Sequence, residues 1–103
     1  MVNDAMKSEF IERARRSVDS HLAFANFVKF AEPYCGEDSP LVEETKTPKF
    51  DAIWFEMEIV NGAALSDWED AGKPVDWTSS WDTFFKRDAI ELVDSLTSLL
   101  SQK

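Results

Sequence analysis

The sequence is poor in the residues that most often carry chemistry. It has one cysteine, one histidine and three glycines among 103 residues. A single cysteine, Cys35, cannot form an internal disulfide, which suits a reducing compartment. One cysteine and one histidine cannot supply the four ligands of a zinc site, and three scattered glycines exclude a glycine-rich phosphate loop. We therefore expect neither a metal nor another cofactor.

Long apolar runs are also missing. No stretch approaches the ~18 consecutive apolar residues that a membrane-spanning helix needs. The first ten residues lack the basic and then apolar pattern of a secretory signal. The composition, 44% hydrophobic and 30% charged, is typical of a globular protein. We expect one domain, residues 1–103, in a cytoplasmic protein that does not enter a membrane.

The scarcity of histidine and cysteine also bears on catalysis. His21 falls inside an amphipathic segment, whereas Cys35 stands beside Gly36 in a loop. Nucleophilic catalysis needs a base next to the nucleophile, and no pattern in the sequence brings these two residues together. We predict that the protein is not an enzyme and has no catalytic residues.

Apolar periodicity predicts three helical segments separated by two loops. The first covers residues 3–31, with a break near Ser17–Ser20 as the alternative to one elongated helix, since Ser and Asp prefer helix caps. The last covers residues 77–100, is capped by Asp76, and has the clearest apolar face of the three, namely Trp81, Phe84, Phe85, Ala89, Leu92, Val93, Leu96, Leu99 and Leu100. These segments predict an all-α fold, a small antiparallel three-helix bundle.

The middle segment, residues 48–70, can be interpreted in two ways. Residues 55–59 alternate between apolar and acidic types, and Asn61-Gly62 is a common hairpin turn. The helical pattern, however, extends over six turns, and Thr47-Pro48 is typical of a helix start. We favour the helix over the hairpin.

The net charge of −9 is concentrated in the middle of the chain. Residues 32–76 hold twelve acidic and three basic side chains, and the two flanking parts are nearly neutral. Such a charge argues against direct binding of nucleic acid and favours a basic protein partner. The candidate partner-binding residues are Glu43, Glu44, Asp67, Trp68, Glu69 and Asp70.

Aromatic residues are abundant, with four Trp, eight Phe and one Tyr. Most are expected in the core, but Phe55 and Ile59 fall on the otherwise polar side of the middle helix. Trp77 stands at the start of the last predicted helix and is a further candidate anchor, because tryptophan is enriched at binding hot spots. We predict an apolar contact patch that includes Phe55, Ile59 and Trp77.

A short, acidic, aromatic-rich helical chain without a catalytic pattern resembles, in general type, small anti-CRISPR, antirestriction and immunity proteins. The concentration of acidic charge in residues 32–76, beside Trp54, Trp68 and Trp77, leads us to expect an inhibitor that covers the basic site of a nucleic-acid-handling protein. The alternative is a structural or accessory subunit that forms a homodimer or docks through apolar helix faces, which include Phe24, Phe27 and Phe30 as well as Phe55 and Ile59.

Overall fold

The computed structural model describes residues 3–101, which fold into four helices and contain no strand. The bounds are α1 Asp4–Arg16, α2 His21–Ala31, α3 Thr47–Asp70, and α4, which runs without interruption through an α-helical turn Thr78–Ser80, a π-helical stretch Trp81–Phe85 and an α-helical part Lys86–Ser101. The predicted all-α class is confirmed. The three-helix count is not confirmed, because the first predicted segment forms two helices, as its alternative of a break near Ser17–Ser20 allowed.

The break between α1 and α2 lies where serine and aspartate interrupt the apolar stripe. Residues Ser17–Asp19 form a 3₁₀ turn, and Ser20 is extended, with φ −153°. The Ser20 hydroxyl accepts a hydrogen bond from the backbone N–H of Ala23 at 3.1 Å and so caps α2. This turn changes the direction of the chain and leaves the carbonyl of Val18 outside either helix.

Helix α3 is continuous over 24 residues, so the helical interpretation is confirmed and the hairpin is wrong. Phe50, Met57 and Ala64, spaced seven residues apart, form its buried side. The helix ends just before Gly72, as the sequence predicts. Gly72 has φ +89°, and the N–H of Lys73 donates to the carbonyl of Trp68 at 3.0 Å.

The connection between α2 and α3 is a packed segment. It contains two 3₁₀ turns, Glu32–Tyr34 and Glu44–Lys46. Between them, Leu41 and Val42 are buried in the core that all four helices share. The N–H of Asn3 donates to the carbonyl of Pro40 at 2.7 Å, which fixes this segment against the start of α1.

The π-helical stretch changes which residues of α4 face the core. Each π-helical residue advances by less than the 100° of an α-helix, so the stretch rotates Trp81 into line with Ala89, and both are buried. Phe84 was predicted on the apolar face, but 68% of it is exposed. That assignment is wrong, because a regular 3.6-residue period was assumed throughout.

The packing of the core also bears on the alternative of docking through apolar helix faces, which included Phe24, Phe27 and Phe30. Phe24 and Phe27 are buried, and Phe30 is half-buried against Phe10. Phe27 and Phe30 pack on Phe10 of α1, and Phe24 packs on Trp81 of α4, so these three rings do not form an exposed contact face. The molecule measures 45 × 20 × 18 Å, so its two ends are well separated. Within residues 3–101, no helix combines the length and the apolar character needed to cross a bilayer.

Candidate functional site

An open groove lies at one end of the bundle, where four parts of the chain meet. The start of α2, the last three turns of α3, the connection of residues 71–77 and the start of α4 form its walls. We call it the aromatic groove, and its lining comprises Ser20, His21, Leu22, Ala25, Asn61, Leu65, Trp68, Lys73, Pro74, Val75, Trp77, Thr78 and Trp81. Its volume, about 470 Å³, is within the range of sites that bind small ligands or peptide side chains.

His21 lies at the centre of the aromatic groove because the turn before α2 directs the first residue of that helix inward. Its imidazole stacks on Trp81, with ring centroids 5.6 Å apart and an interplanar angle of 19°. Trp77 packs on the same imidazole at 5.4 Å. The Nε2 atom of His21 is 3.1 Å from Oδ1 of Asn61 on α3. The imidazole of this hydrogen-bonded pair therefore packs against two indole rings in the groove.

Two tryptophans fix the walls by donating to backbone carbonyls. The indole N–H of Trp81 donates to the carbonyl of Val18 at 2.9 Å, which ties α4 to the break between α1 and α2. The indole N–H of Trp68 donates to the carbonyl of Pro74, also at 2.9 Å. This second bond folds the connection of residues 71–77 back over the end of α3. The groove is therefore formed by the fold itself, before any partner binds.

The apolar rim of the groove is open to solvent. Leu22 is 72% exposed, Leu65 is 44% exposed and Val75 is fully exposed. Side chains as exposed as Leu22 and Val75 bury little of their apolar surface against their own chain. Several of them around one groove are typical of an interaction site.

Acidic residues surround this end of the molecule. Residues 58–82 include one basic residue, Lys73, and six acidic residues, Glu58, Asp67, Glu69, Asp70, Asp76 and Asp82. The carboxylate of Asp76 accepts a hydrogen bond at 3.1 Å from the N–H of Thr78, the first residue of α4, and this bond lowers the pKa of Asp76. The charge around the groove is therefore strongly negative at neutral pH.

The predicted partner-binding residues are divided between the two ends of α3. Trp68 lines the aromatic groove, and Asp67, Glu69 and Asp70 are exposed beside it on the last turns of the helix. Glu43 and Glu44 are also exposed, but they precede the first turn. A helix of 24 residues is about 36 Å long, so the structure does not bring these two groups together.

The predicted apolar patch is divided as well. Trp77 belongs to the aromatic groove, where it also stacks on Phe85 at 5.6 Å. Phe55 and Ile59 are 59% and 56% exposed, and they lie on a different side of α3. Sequence reasoning missed His21, Asn61, Leu22 and Val75 as parts of one site. The isolated His21 was the available indication, but its partner Asn61 is 40 residues away in the chain.

Cys35 lies far from His21, at the other end of α2. The ten residues of α2 that follow His21, about 15 Å of helix, lie between the two positions. Burial, together with the carboxylate of Asp51, raises the pKa of the Cys35 thiol from 9.0 to about 12. Such a thiol is protonated at neutral pH, the reverse of the thiolate that a nucleophile requires.

This shift makes Cys35 resistant to alkylation. At pH 9, iodoacetamide is expected to react with Cys35 in the folded protein roughly 500-fold more slowly than in the urea-unfolded protein, because about half of the unfolded thiols but only about one folded thiol in a thousand is then a thiolate. Asp51→Asn removes the negative charge beside the Cys35 thiol. The pKa of the thiol should then fall, and alkylation of the folded protein should become faster. Glu32→Gln, the control, should have a smaller effect, since Glu32 contributes least to the shift.

The same shift links stability to pH. The folded state holds the Cys35 proton more tightly than the unfolded state, so the free energy of unfolding should fall as the pH rises from 9 towards 12. Cys35→Ser should reduce that fall in urea titrations. Equal alkylation rates for Cys35 in the folded and the unfolded protein would contradict the raised pKa on which both predictions depend.

Comparisons with known proteins give no match, whether to family models, curated sequences or solved structures. Among residues 3–101, no group of three or more His, Cys, Asp or Glu side chains could hold a metal ion. The function must therefore be argued from the aromatic groove and its charge.

Proposed function

We propose that the protein is a binding module whose aromatic groove receives an apolar segment of another protein that carries basic residues on its flanks. The observation that carries the proposal is one groove that combines exposed apolar walls with an acidic surround. Apolar side chains of the partner would replace water on Leu22, Leu65 and Val75, and its basic groups would face the surrounding carboxylates.

The biological consequence we propose is inhibition. A partner that handles DNA or RNA presents lysine and arginine to phosphate groups, and an acidic protein bound there would occupy the same surface. The net charge of −9 and the acidic residues at this end of α3 support this form of the proposal. The groove supplies the apolar contact that holds the two proteins in one orientation.

The experiment is capture of the partner from the native cell by the tagged full-length protein, followed by identification and a salt titration. We expect a basic protein whose affinity falls as the salt concentration rises from about 0.1 M to about 0.5 M, since screening weakens exposed charge pairs. Added DNA or RNA should compete with the protein for the partner. A partner that is not basic, or binding that ignores salt, would contradict the proposal.

Two pairs of variants locate the surface. Leu22→Asp and Val75→Asp place a charge on the groove walls at exposed positions, and each should weaken capture at least tenfold. Phe84→Asp, the control, alters an equally exposed apolar residue outside the groove and should bind normally. Asp67→Asn with Asp70→Asn should reduce both affinity and salt dependence, whereas Glu43→Gln with Glu44→Gln, at the far end of α3, should not.

A further inference from the structure

The side of α3 that faces away from the bundle is unusually free of charge. At 100° per residue, one face of the helix collects small and apolar side chains, all of them exposed, namely Ala52, Phe55, Ile59, Gly62, Ala63 and Ser66. Glu56, at its edge, is the one charged residue of this face between residues 52 and 66. Positions 52, 55, 59, 62 and 66 follow the alternating three- and four-residue spacing of a coiled-coil seam.

Nothing within the described chain covers this seam face. Phe55 and Ile59 remain more than half exposed. A Cβ atom on Gly62 would meet no atom within 4 Å, so the fold itself does not require glycine there. Glycine inside a helix costs about 1 kcal/mol relative to alanine. Glycine at this position has a physical explanation if the backbone of a second helix approaches closely here, because glycine has no side chain to obstruct it.

The charges of α3 identify the occupant. Its first turn contains Lys49 and no acidic residue, and its last turns contain Asp67, Glu69 and Asp70 with no basic residue. Both ends oppose the helix's own dipole, which favours acids at the start and bases at the end. An identical helix running antiparallel would place each acidic end beside the dipole-positive first turn of the other, which carries Lys49.

We infer that two copies of this chain associate through the α3 seam face, antiparallel, around a two-fold axis at Ile59. Residues equally distant from Ile59 then face one another. Phe55 packs on Ala63 of the second copy, and Ala52 meets Ser66, so large side chains face small ones. Lys49 comes within one helical turn of the second copy's Asp67 and Asp70. An isologous two-fold contact of this kind closes on itself and yields a dimer.

The dimer does not depend on the proposed function. Asn61, Leu65 and Trp68, which line the aromatic groove, lie on other sides of α3 than Ile59. The groove stays open when the seam face is covered. Because Asp67 and Asp70 take part in both proposals, the two failures are distinguished by other variants: Leu22→Asp and Val75→Asp test partner capture, and Ile59→Glu tests self-association.

Sedimentation equilibrium of the full-length protein tests the inference. We expect a dimer whose dissociation constant rises at least about 100-fold with Ile59→Glu, because two carboxylates would then face each other at the axis. Phe84→Asp, the control, should leave the dimer intact, and circular dichroism should show unchanged helix content in both variants. A monomer at about millimolar concentration, or a dimer that Phe84→Asp and not Ile59→Glu dissociates, would overturn it.

Cysteine cross-linking tests the antiparallel arrangement. In a Cys35→Ser background, Ile59→Cys should form a disulfide-linked dimer, since the two positions meet at the axis. Ser66→Cys alone should not, but it should cross-link when mixed with Ala52→Cys. A parallel pair would cross-link Ser66→Cys with itself, and that result would overturn the inference. Reversing one charge with Lys49→Glu should weaken the dimer, and adding Asp67→Lys should restore it.

Discussion

Replacing Trp81 by alanine is expected to lower the free energy of unfolding by about 4 kcal/mol, a large part of the stability of a domain of this size. Trp81 is 1% exposed and packs on Phe24, Phe85 and His21. Its removal leaves a cavity the size of an indole under the groove. It also leaves the carbonyl of Val18 without its donor.

Urea unfolding measured by far-UV circular dichroism checks this result. Trp81→Phe, the matched control, retains an aromatic ring but lacks the N–H donor, so it should cost roughly half as much. Because Trp81 supports His21 and Trp77, the alanine variant should also lose partner capture. A loss of less than about 1 kcal/mol for Trp81→Ala would contradict the packing described here.

Phe10→Ala is expected to have an effect of comparable size, about 3–5 kcal/mol, at the other side of the core. Phe10 is 1% exposed, and its ring lies within 6.0 Å, centroid to centroid, of four other rings, those of Phe27, Phe30, Tyr34 and Phe50. It therefore joins α1, α2, the turn that follows α2, and α3. Aromatic pairs of this kind contribute beyond the area that they bury.

The chain offers an internal comparison for Phe10. Phe84 is the same residue type within a helix, but it is mostly exposed, so Phe84→Ala should change stability by less than about 0.5 kcal/mol. Both variants are measured in the same urea titration. Equal losses for the two phenylalanines would contradict the burial assigned to Phe10. Partner capture by the two variants separates a loss of fold from a loss of binding.

The helices were largely predictable because their determinants are local. The serines and aspartate at residues 17–20 marked the break, and Gly72 marked the end of α3. The apolar face of the last helix was correct for Ala89, Val93, Leu96 and Leu100, which are all buried. The predicted face was wrong for Phe84, because the spacing of apolar residues in the sequence does not reveal a π-helical stretch.

The groove could not be predicted, because it depends on pairs that are distant in the chain. His21 meets Asn61 across 40 residues, and Trp81 reaches Val18 across 63. Charge counting along the sequence located the acidic middle correctly. The count took no account of the helix predicted for residues 48–70, which already places Glu43 and Glu44 before one end and Asp67 near the other, about 30 Å or more apart at 1.5 Å per residue.

Three of the four indole N–H groups donate to backbone carbonyls, each at a place where different segments of the chain meet. Trp54 donates to Val28 between α2 and α3, Trp68 to Pro74 at the end of α3, and Trp81 to Val18 at the break. Each indole proton gives its own NMR resonance, and its rate of exchange with solvent reports how often the two segments that it joins separate. Without any label, this protein can therefore reveal whether the groove loosens before the rest of the bundle unfolds.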